Sequence, residues 1–345
     1  MYEFTTAEPS FTYLERNYGP GDGLKAVDKT IQRAPLSRES TPLFGEERTK
    51  RFARNDRYLA VVLPLADNTD ELRVVDLESR DERSVGIPYN TRVDSLRFSP
   101  VGNAFVFVTR VIPEADDAEP KPEVHDSNKL YRYDVDNEQL HSVGTLSDEG
   151  NVESALYSRD GQALLYLTLD GVYYLTSAAR TTEPTLVGIY GDSGEFDRTN
   201  TKLAFQSNDG ATIYDAQAKE LQELPYVGAG GSISAPTFLH NSDEPIYIWD
   251  PFNARTGETT RVYVAAENEN EKLVTESQPS ERFFDDPVVS SDERYVLIEA
   301  APKSSRSDDY VGNRQPENAR LVLYDRFSRE VIESDTRGVD PVWNR

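Results

Sequence analysis

Six carboxylates recur at similar places in the sequence, three or four residues before the end of a short apolar segment. They are Asp94, Glu153, Asp192, Asp285, Asp286 and Asp340. If these segments run side by side and end at one opening, the acids form a ring there. A concave opening of low dielectric concentrates the field of such a ring, which would attract a cation or a basic peptide. The pattern therefore predicts a binding site, and the alternative is that these acids only bind water and turn the backbone.

Nucleophilic catalysis finds little support in the sequence. The segment "GDSGE" (191–195) resembles the nucleophile segment of trypsin-like proteases, but a serine nucleophile needs a positioned base. The three histidines, His125, His141 and His240, stand at turn or hairpin positions. We therefore predict no catalytic residue. A lyase or glycosidase could work with two carboxylates, but 61 acidic residues leave no pair that sequence can single out.

Metal and cofactor sites are also not expected. The chain has no cysteine, which excludes disulfides, thiolate catalysis and cysteine-bound zinc. Three histidines are too few for the usual zinc sets, and no complete calcium loop is present. The segment "NYGPGDG" (17–23) lacks the Gly-Lys-Ser/Thr end of a phosphate loop. We predict no cofactor, with calcium held by scattered carboxylates as the alternative.

The net charge of −24 limits the classes of partner. Such a field repels phosphate backbones and anionic membrane surfaces, and it attracts basic proteins or peptides. No apolar run approaches the roughly 20 residues that span a bilayer, so no membrane insertion is expected. The first residues, "MYEFTTAEPS", do not read as a signal peptide, so an exported form would carry a leader or anchor beyond these residues. Surplus surface acid favours a monomer.

An internal repeat sets the expected fold. A short strand ends at an apolar anchor, a turn rich in Asn, Asp, Ser and Gly follows, and a strongly apolar strand comes next. The anchors are Phe52, Phe98, Tyr157, Phe196, Phe238, Val289 and Trp343. A third and a fourth strand follow most anchors, and the third often ends at an aspartate that caps a turn. These aspartates are Asp76, Asp134, Asp215 and Asp325. Four strands in about 40–50 residues are typical of a propeller blade.

The last anchor, Trp343, lies two residues from the end of the chain, so its other strands must come from elsewhere. Segments 10–17, 23–31 and 34–44 read as the missing second, third and fourth strands. We predict an all-β, seven-bladed propeller in a single domain, 1–345. Residues 1–47 and 339–345 form one composite closing blade, and 48–338 form six sequential blades. Such closure removes exposed sheet edges. The alternative is six blades and an N-terminal arm.

The turns "FSPVG" (98–102) and "YSRDG" (157–161), with "DPVVSSDERY" and "DPVWNR", resemble the repeat of TolB-like, or WD-repeat-like, propellers over nearly the whole chain. The resemblance implies a periplasmic or cell-surface interaction protein. It also extends to the propellers of prolyl-oligopeptidase-like enzymes, but we expect no α/β-hydrolase domain in this sequence. The Gly-His and Trp-Asp signatures of true WD repeats are absent.

Two segments are longer than a hairpin needs, residues 111–127 and 302–318, and both should leave the ring at the face where the six acids lie. Loops on a rigid scaffold commonly bind partners. The expected function is a non-enzymatic scaffold that binds a basic or mixed protein or peptide segment at an acidic channel mouth and these loops, in the bacterial cell envelope. The alternatives are a lyase or glycoside hydrolase that uses carboxylates in the channel, and a cytoplasmic location.

Overall fold

The structure is a computed structural model of the 345-residue chain. It describes residues 10–17, 23–30, 41–42, 49–67, 69–112, 128–143, 152–168, 171–178, 184–189, 194–207, 210–224, 231–239, 241–242, 244–251, 258–264, 272–303 and 318–343. Every regular element in these ranges is a β-strand, and none is a helix that could span a membrane.

The strands form seven four-stranded antiparallel sheets, numbered here from the N-terminus. Sheet 1 contains β28 (Val339–Trp343), β1 (Ser10–Asn17), β2 (Gly23–Thr30) and β3 (Thr41–Pro42). Sheet 2 contains β4 (Arg51–Arg54), β5 (Tyr58–Pro64), β6 (Asp70–Asp76) and β7 (Glu82–Val85). Sheet 3 contains β8 (Thr91–Phe98), β9 (Ala104–Val111), β10 (Lys129–Asp134) and β11 (Gln139–Val143). Sheet 4 contains β12 (Val152–Tyr157), β13 (Ala163–Thr168), β14 (Val172–Ser177) and β15 (Thr185–Ile189).

Sheet 5 contains β16 (Gly194–Phe196), β17 (Lys202–Ser207), β18 (Gly210–Asp215) and β19 (Glu220–Glu223). Sheet 6 contains β20 (Gly231–Phe238), β21 (Pro245–Pro251), β22 (Arg261–Val264) and β23 (Lys272–Glu276). Sheet 7 contains β24 (Glu281–Val289), β25 (Tyr295–Pro302), β26 (Arg320–Asp325) and β27 (Glu330–Arg337). In each sheet the strands hydrogen-bond in chain order, apart from β28, which pairs with β1.

The apolar second strands make the core. The strands β5, β9 and β25 are buried along nearly their whole length, because both faces of a blade pack against neighbouring blades. Seven clusters of buried apolar side chains join sheet 1 to 2, 2 to 3, 3 to 4, 4 to 5, 5 to 6, 6 to 7, and 7 back to 1. The sheets therefore form a closed circuit. This is the architecture of a β-propeller, and the predicted all-β propeller class is confirmed.

The turns between third and fourth strands repeat one device, as the sequence predicts. Asp76, Asp215 and Asp325 each accept hydrogen bonds from the backbone N–H groups two and three residues later, and Asp134 accepts one from Asn137. The residue four positions after each aspartate has a positive φ, between 55° and 67°. These aspartates cap turns and so have a structural role.

Sheet 1 joins the two ends of the chain. Phe11 of β1 lies opposite Trp343 of β28, and the Trp343 indole Nε1 donates a hydrogen bond of 3.0 Å to the Val288 carbonyl of sheet 7. Gly338 leads into β28 where a Cβ would lie 2.4 Å from the Tyr13 ring and 2.6 Å from the Leu14 carbonyl. The N-terminal strands are therefore paired rather than a loose arm. The single domain over 1–345 and the boundaries at 47, 48, 338 and 339 stay predictions.

Candidate functional site

Strand register defines two ends of the molecule. At one end, which we call the mouth end, the first strand of a sheet begins beside the end of the second, as in the pairs Arg51–Val62 and Thr91–Val111. At the other, the turn end, the first strand ends and the capped turns lie. Segments 113–127 and 304–317 lie outside the described residues, but the strand ends before them, at Val111 and Pro302, are at the mouth end, as predicted.

The structure places the predicted acids on the first strands, with different amounts of detail. Asp94 lies in β8 and is 8% exposed, while Glu153 lies in β12 and is half-buried. The backbones of Asp285, Asp286 and Asp340 lie in β24 and β28, but their side chains fall outside the described part. Asp192 is outside it altogether, as is Ser193 of the "GDSGE" segment. The binding role of the six acids stays a prediction.

The register of the first unit differs from the sequence alignment by two residues. Phe98 pairs with Phe105, and the residue of β4 in the equivalent position is Arg54, paired with Leu59, rather than Phe52. The alternation of side chains in a strand has a period of two, so a shift of two residues keeps every side chain on its face and the apolar pattern cannot detect it. The positions four and three residues before this anchor are therefore Lys50 and Arg51.

Lys50 belongs to a buried junction between sheets 2 and 3. Its Nζ lies 2.8 Å from Asp70 Oδ2, and the same oxygen accepts a hydrogen bond of 2.7 Å from the Val93 backbone N–H. Burial lowers the pKa of Lys50, although the charge and hydrogen bond of Asp70 act in the opposite direction. The Asp70 carboxylate thus links sheet 2 to the backbone of sheet 3, and removing either charge would leave the other buried without its counterion.

Two other sheets also have a polar residue at the start of the third strand, where Asp70 lies in sheet 2, and it bonds the backbone of the next sheet in a similar way. Asn128 Nδ2 at the start of β10 donates to the Val152 carbonyl of sheet 4, and Thr260 Oγ1 before β22 accepts from the Phe283 N–H of sheet 7. A polar residue at the start of a third strand thus bonds the first strand of the next sheet. Sequence reasoning missed these residues, since polar residues at strand starts look like ordinary loop residues.

Asp94 lies against Arg110 from the end of the neighbouring strand. The distance from Asp94 Oδ2 to Arg110 Nη2 is 2.6 Å, and Arg110 stands directly opposite Arg92. A bulge between Val93 and Ser95 sets Asp94 out of the regular ladder. Its carboxylate is therefore paired with a guanidinium and does not stand alone at the opening.

A second charged group lies between sheets 6 and 7 at the mouth end. Burial raises the pKa of Asp250 in β21, while the positive charges of Arg282 and Lys303 oppose the rise. Lys303 Nζ donates to the Glu258 carbonyl, and the Arg282 Nε is buried without a hydrogen-bond partner. A half-buried carboxyl with a raised pKa can hold a proton to a higher pH than an ordinary aspartate, as a general acid requires.

The described mouth end carries basic as well as acidic side chains. The six predicted acids occupy only two positions on the first strands, whereas the structure adds cations from the ends of second strands, such as Arg110 and Lys303. Across the ranges that the structure describes, no three His, Cys, Asp or Glu side chains are arranged to hold a metal ion. Of the three histidines, only His141 is described, and it lies exposed on the outermost strand β11. The mouth end therefore carries charges of both signs.

No family model and no curated protein sequence matches this chain. Solved structures match it over most of its length. TolB from Acinetobacter baumannii shares 12% identity, with a TM-score of 0.53 over 97% of this chain and 82% of that chain. The chain has the fold of TolB-like β-propellers. An oligogalacturonate lyase from Vibrio parahaemolyticus shares 10% identity, with a TM-score of 0.59 over 96% of this chain and 85% of that chain.

Peptidases also contain this fold within longer chains. The dipeptidyl peptidase 4 of Porphyromonas gingivalis matches with 13% identity and a TM-score of 0.57. The match covers 94% of this chain but only 50% of the peptidase. The chain therefore spans about half the length of that relative. At such identities the likeness shows the fold alone, because one fold carries many functions.

Proposed function

We propose that this chain is a non-enzymatic β-propeller scaffold that binds a protein or peptide segment at its mouth end. The predicted contact surface is the ring of Asp94, Glu153, Asp192, Asp285, Asp286 and Asp340, with the long segments 111–127 and 302–318 around it. The observation that carries the proposal is the concentration of charged side chains at the mouth end, where neighbouring sheets bring Asp94, Arg110 and Lys50 together. A partner with basic or mixed charge suits this surface and the net charge of −24.

The proposed location is the bacterial cell envelope, in a periplasmic or cell-surface setting. The shared fold with TolB supports it. The chain would act there as a monomer, without a cofactor.

The test is a binding experiment with matched charge changes. A variant with Asp285→Lys, Asp286→Lys and Asp340→Lys is compared with one carrying Glu78→Lys, Glu220→Lys and Glu330→Lys. The second set is exposed and lies at the turn end, so both variants change the net charge equally. Each immobilised protein captures partners from an envelope extract, and the captured protein is then purified and titrated. We expect binding to the wild type and the turn-end variant, and loss with the mouth variant. Equal binding by all three would refute the ring as the docking surface.

One observation favours a second candidate, a carboxylate-based polysaccharide lyase or glycoside hydrolase. Asp250 combines a raised pKa with two adjacent cations, Arg282 and Lys303, and an oligogalacturonate lyase shares the fold. An acid in such a setting could protonate a leaving group while the cations bind a uronate carboxylate. Incubation with a panel of neutral and acidic polysaccharides tests it. Product that appears with the wild type and disappears with Asp250→Asn would favour the enzyme over the scaffold.

A further inference from the structure

The channel at the centre of the ring is lined by the first strands of the sheets. First strands of neighbouring sheets approach one another, as in the pairs β4–β8, β8–β12, β16–β20 and β20–β24, so these strands lie innermost. A side chain on an innermost strand has the second strand of its own sheet beside it and the next sheet against its face. The exposed surface of such a side chain therefore opens into the channel.

Strand register identifies seven equivalent positions in this channel, each one residue before the end of a first strand at the turn end. Each lies opposite a buried residue of the second strand, as in the pairs Arg97–Val106 and Glu195–Ala204. We call these positions the channel belt, and they are Ala53, Arg97, Leu156, Glu195, Thr237, Val288 and Val342. The belt is therefore uncharged apart from one arginine and one glutamate.

The arginine of the belt, Arg97, is exposed although it lies on an innermost strand. Within the ranges that the structure describes, its side chain forms no hydrogen bond or ion pair. The turns that follow the first strands of sheets 3, 4 and 5 are all described, and their acids, Asp160 and Asp197, accept hydrogen bonds within their own turns. Arg97 therefore offers a free guanidinium to whatever enters the channel at the turn end.

The glutamate of the belt, Glu195, already has a cationic partner. Its Oε1 lies 3.5 Å from Arg159 Nη2, and Arg159 Nε donates a bond of 2.9 Å to the Phe196 carbonyl, which fixes that guanidinium beside β16. The Glu195 side chain is 40% exposed, yet burial raises its pKa, while the positive charges of Arg159 and Arg97 oppose the rise. Water thus reaches Glu195 in a narrow space between protein walls, and Arg97 is close enough to act on it. Because Arg159 balances Glu195, the charge of Arg97 is left over.

We propose that the channel belt binds an aliphatic monocarboxylate, with Arg97 as the residue that holds the carboxylate. The planar guanidinium donates two parallel hydrogen bonds to the two carboxylate oxygens. The aliphatic chain packs against Leu156, Val288 and Val342, which are half-buried and so leave apolar surface in the channel. Glu195 disfavours dianions, since a second negative charge beside it would be repelled. The site lies at the opposite end of the channel from the ring of six acids, so it goes beyond the proposed scaffold function.

Isothermal titration calorimetry with hexanoate at neutral pH tests the site. We expect a Kd of about 1 mM, which is within reach of a ligand of this size. Acetate should bind more weakly, because each methylene that is buried strengthens binding by about fourfold. Hexanamide, which lacks the charge, and adipate, which carries a second one, should also bind more weakly. Arg97→Gln should weaken hexanoate binding at least about tenfold, the cost of losing hydrogen bonds between charged groups. Glu195→Gln should tighten it by about fivefold, since it removes a nearby negative charge.

A matched control separates the site from net charge. Arg329→Gln removes an exposed arginine at the same end of the molecule but on an outer turn of sheet 7, so it should leave hexanoate binding unchanged. No saturable binding of hexanoate below about 10 mM, or equal binding by the wild type and Arg97→Gln, overturns the inference. Equal losses with Arg97→Gln and Arg329→Gln overturn it too.

A second pair of ligands distinguishes a free acid from the C-terminus of a peptide, which carries the same carboxylate. Acetyl-Ala-Leu with a free C-terminus is compared with its C-terminal amide. If the dipeptide acid binds more tightly than hexanoate and the amide does not bind, the carboxylate comes from a peptide. If hexanoate binds more tightly, the ligand is a free acid. Neither result depends on the ring of acids at the mouth end, so this inference and the proposed function fail separately.

Discussion

The closure of the ring by Trp343 gives the sharpest stability prediction. Its ring centroid lies 5.7 Å from that of Phe11 in β1 and 6.1 Å from that of Tyr295 in sheet 7, and its Nε1 donates to Val288. A fully buried tryptophan costs about 3–5 kcal/mol when it is replaced by alanine, and Trp343 is half-buried, so we take about 3 kcal/mol. An unfolding entropy of about 2.1 cal/mol/K per residue gives about 0.7 kcal/mol/K for the chain. Trp343→Ala should therefore lower Tm by about 4 °C.

The assay is thermal unfolding followed by far-ultraviolet circular dichroism, with urea unfolding where heating is irreversible. Trp343→Phe keeps an aromatic ring but loses the indole hydrogen bond, so it should cost about 1 kcal/mol and lower Tm by about 1–2 °C. Removal of residues 339–345 also removes the ladder between β28 and β1, so it should cost more than either point change. Phe327→Ala, at an exposed turn, should leave the melt unchanged. A Trp343→Ala protein that melts with the wild type would show that joining the chain ends contributes nothing to stability.

Three further predictions concern the buried Lys50–Asp70 ion pair, the turn-capping Asp325 and the long segment after Ile112. Asp70→Asn leaves Lys50 buried without its counterion and should cost about 3–5 kcal/mol in urea unfolding, whereas the double change Lys50→Met with Asp70→Asn should recover most of the loss. Burial of Asp325 raises its pKa, but the hydrogen bonds from Arg294 and two backbone N–H groups outweigh that and lower it. This stabilisation is complete above the unfolded-state pKa of about 3.9 and is lost as the pH falls through the lower folded-state value, so Asp325→Asn should flatten the dependence of stability on pH below about 5. Deletion of 113–124, which is too polar to form a core, should leave Tm within about 1 °C, and a larger fall would mean that the segment packs against the ring.

Regular patterns in the sequence were enough to predict the architecture. Three features follow from local chemistry or from spacing along the chain, and the structure contains all three. They are the strand–turn–strand repeat, the turn-capping aspartates such as Asp134, and the last strand at Trp343, which lacks neighbours in its own part of the sequence. The predicted alignment of the first unit at Phe52 was wrong by two residues. A two-residue shift keeps each side chain on the same face of the strand, so the apolar pattern cannot reveal it.

The charged partners at the mouth end could not be predicted in the same way. Lys50 and Asp70 are 20 residues apart, Asp70 bonds Val93 of the next sheet, and Arg110 reaches Asp94 only because β9 folds back along β8. Nothing in the order of residues distinguishes these contacts from exposed charges on a loop.

The sequence by itself therefore determined the all-β repeat, the turn chemistry and the joining of the two chain ends, because each follows from spacing along the chain. Only the tertiary structure decided which charges meet at the mouth end, such as Lys50 with Asp70 and Arg110 with Asp94. Those relations depend on strand register and on how one sheet packs against the next, and both are set by long-range packing that local sequence does not encode.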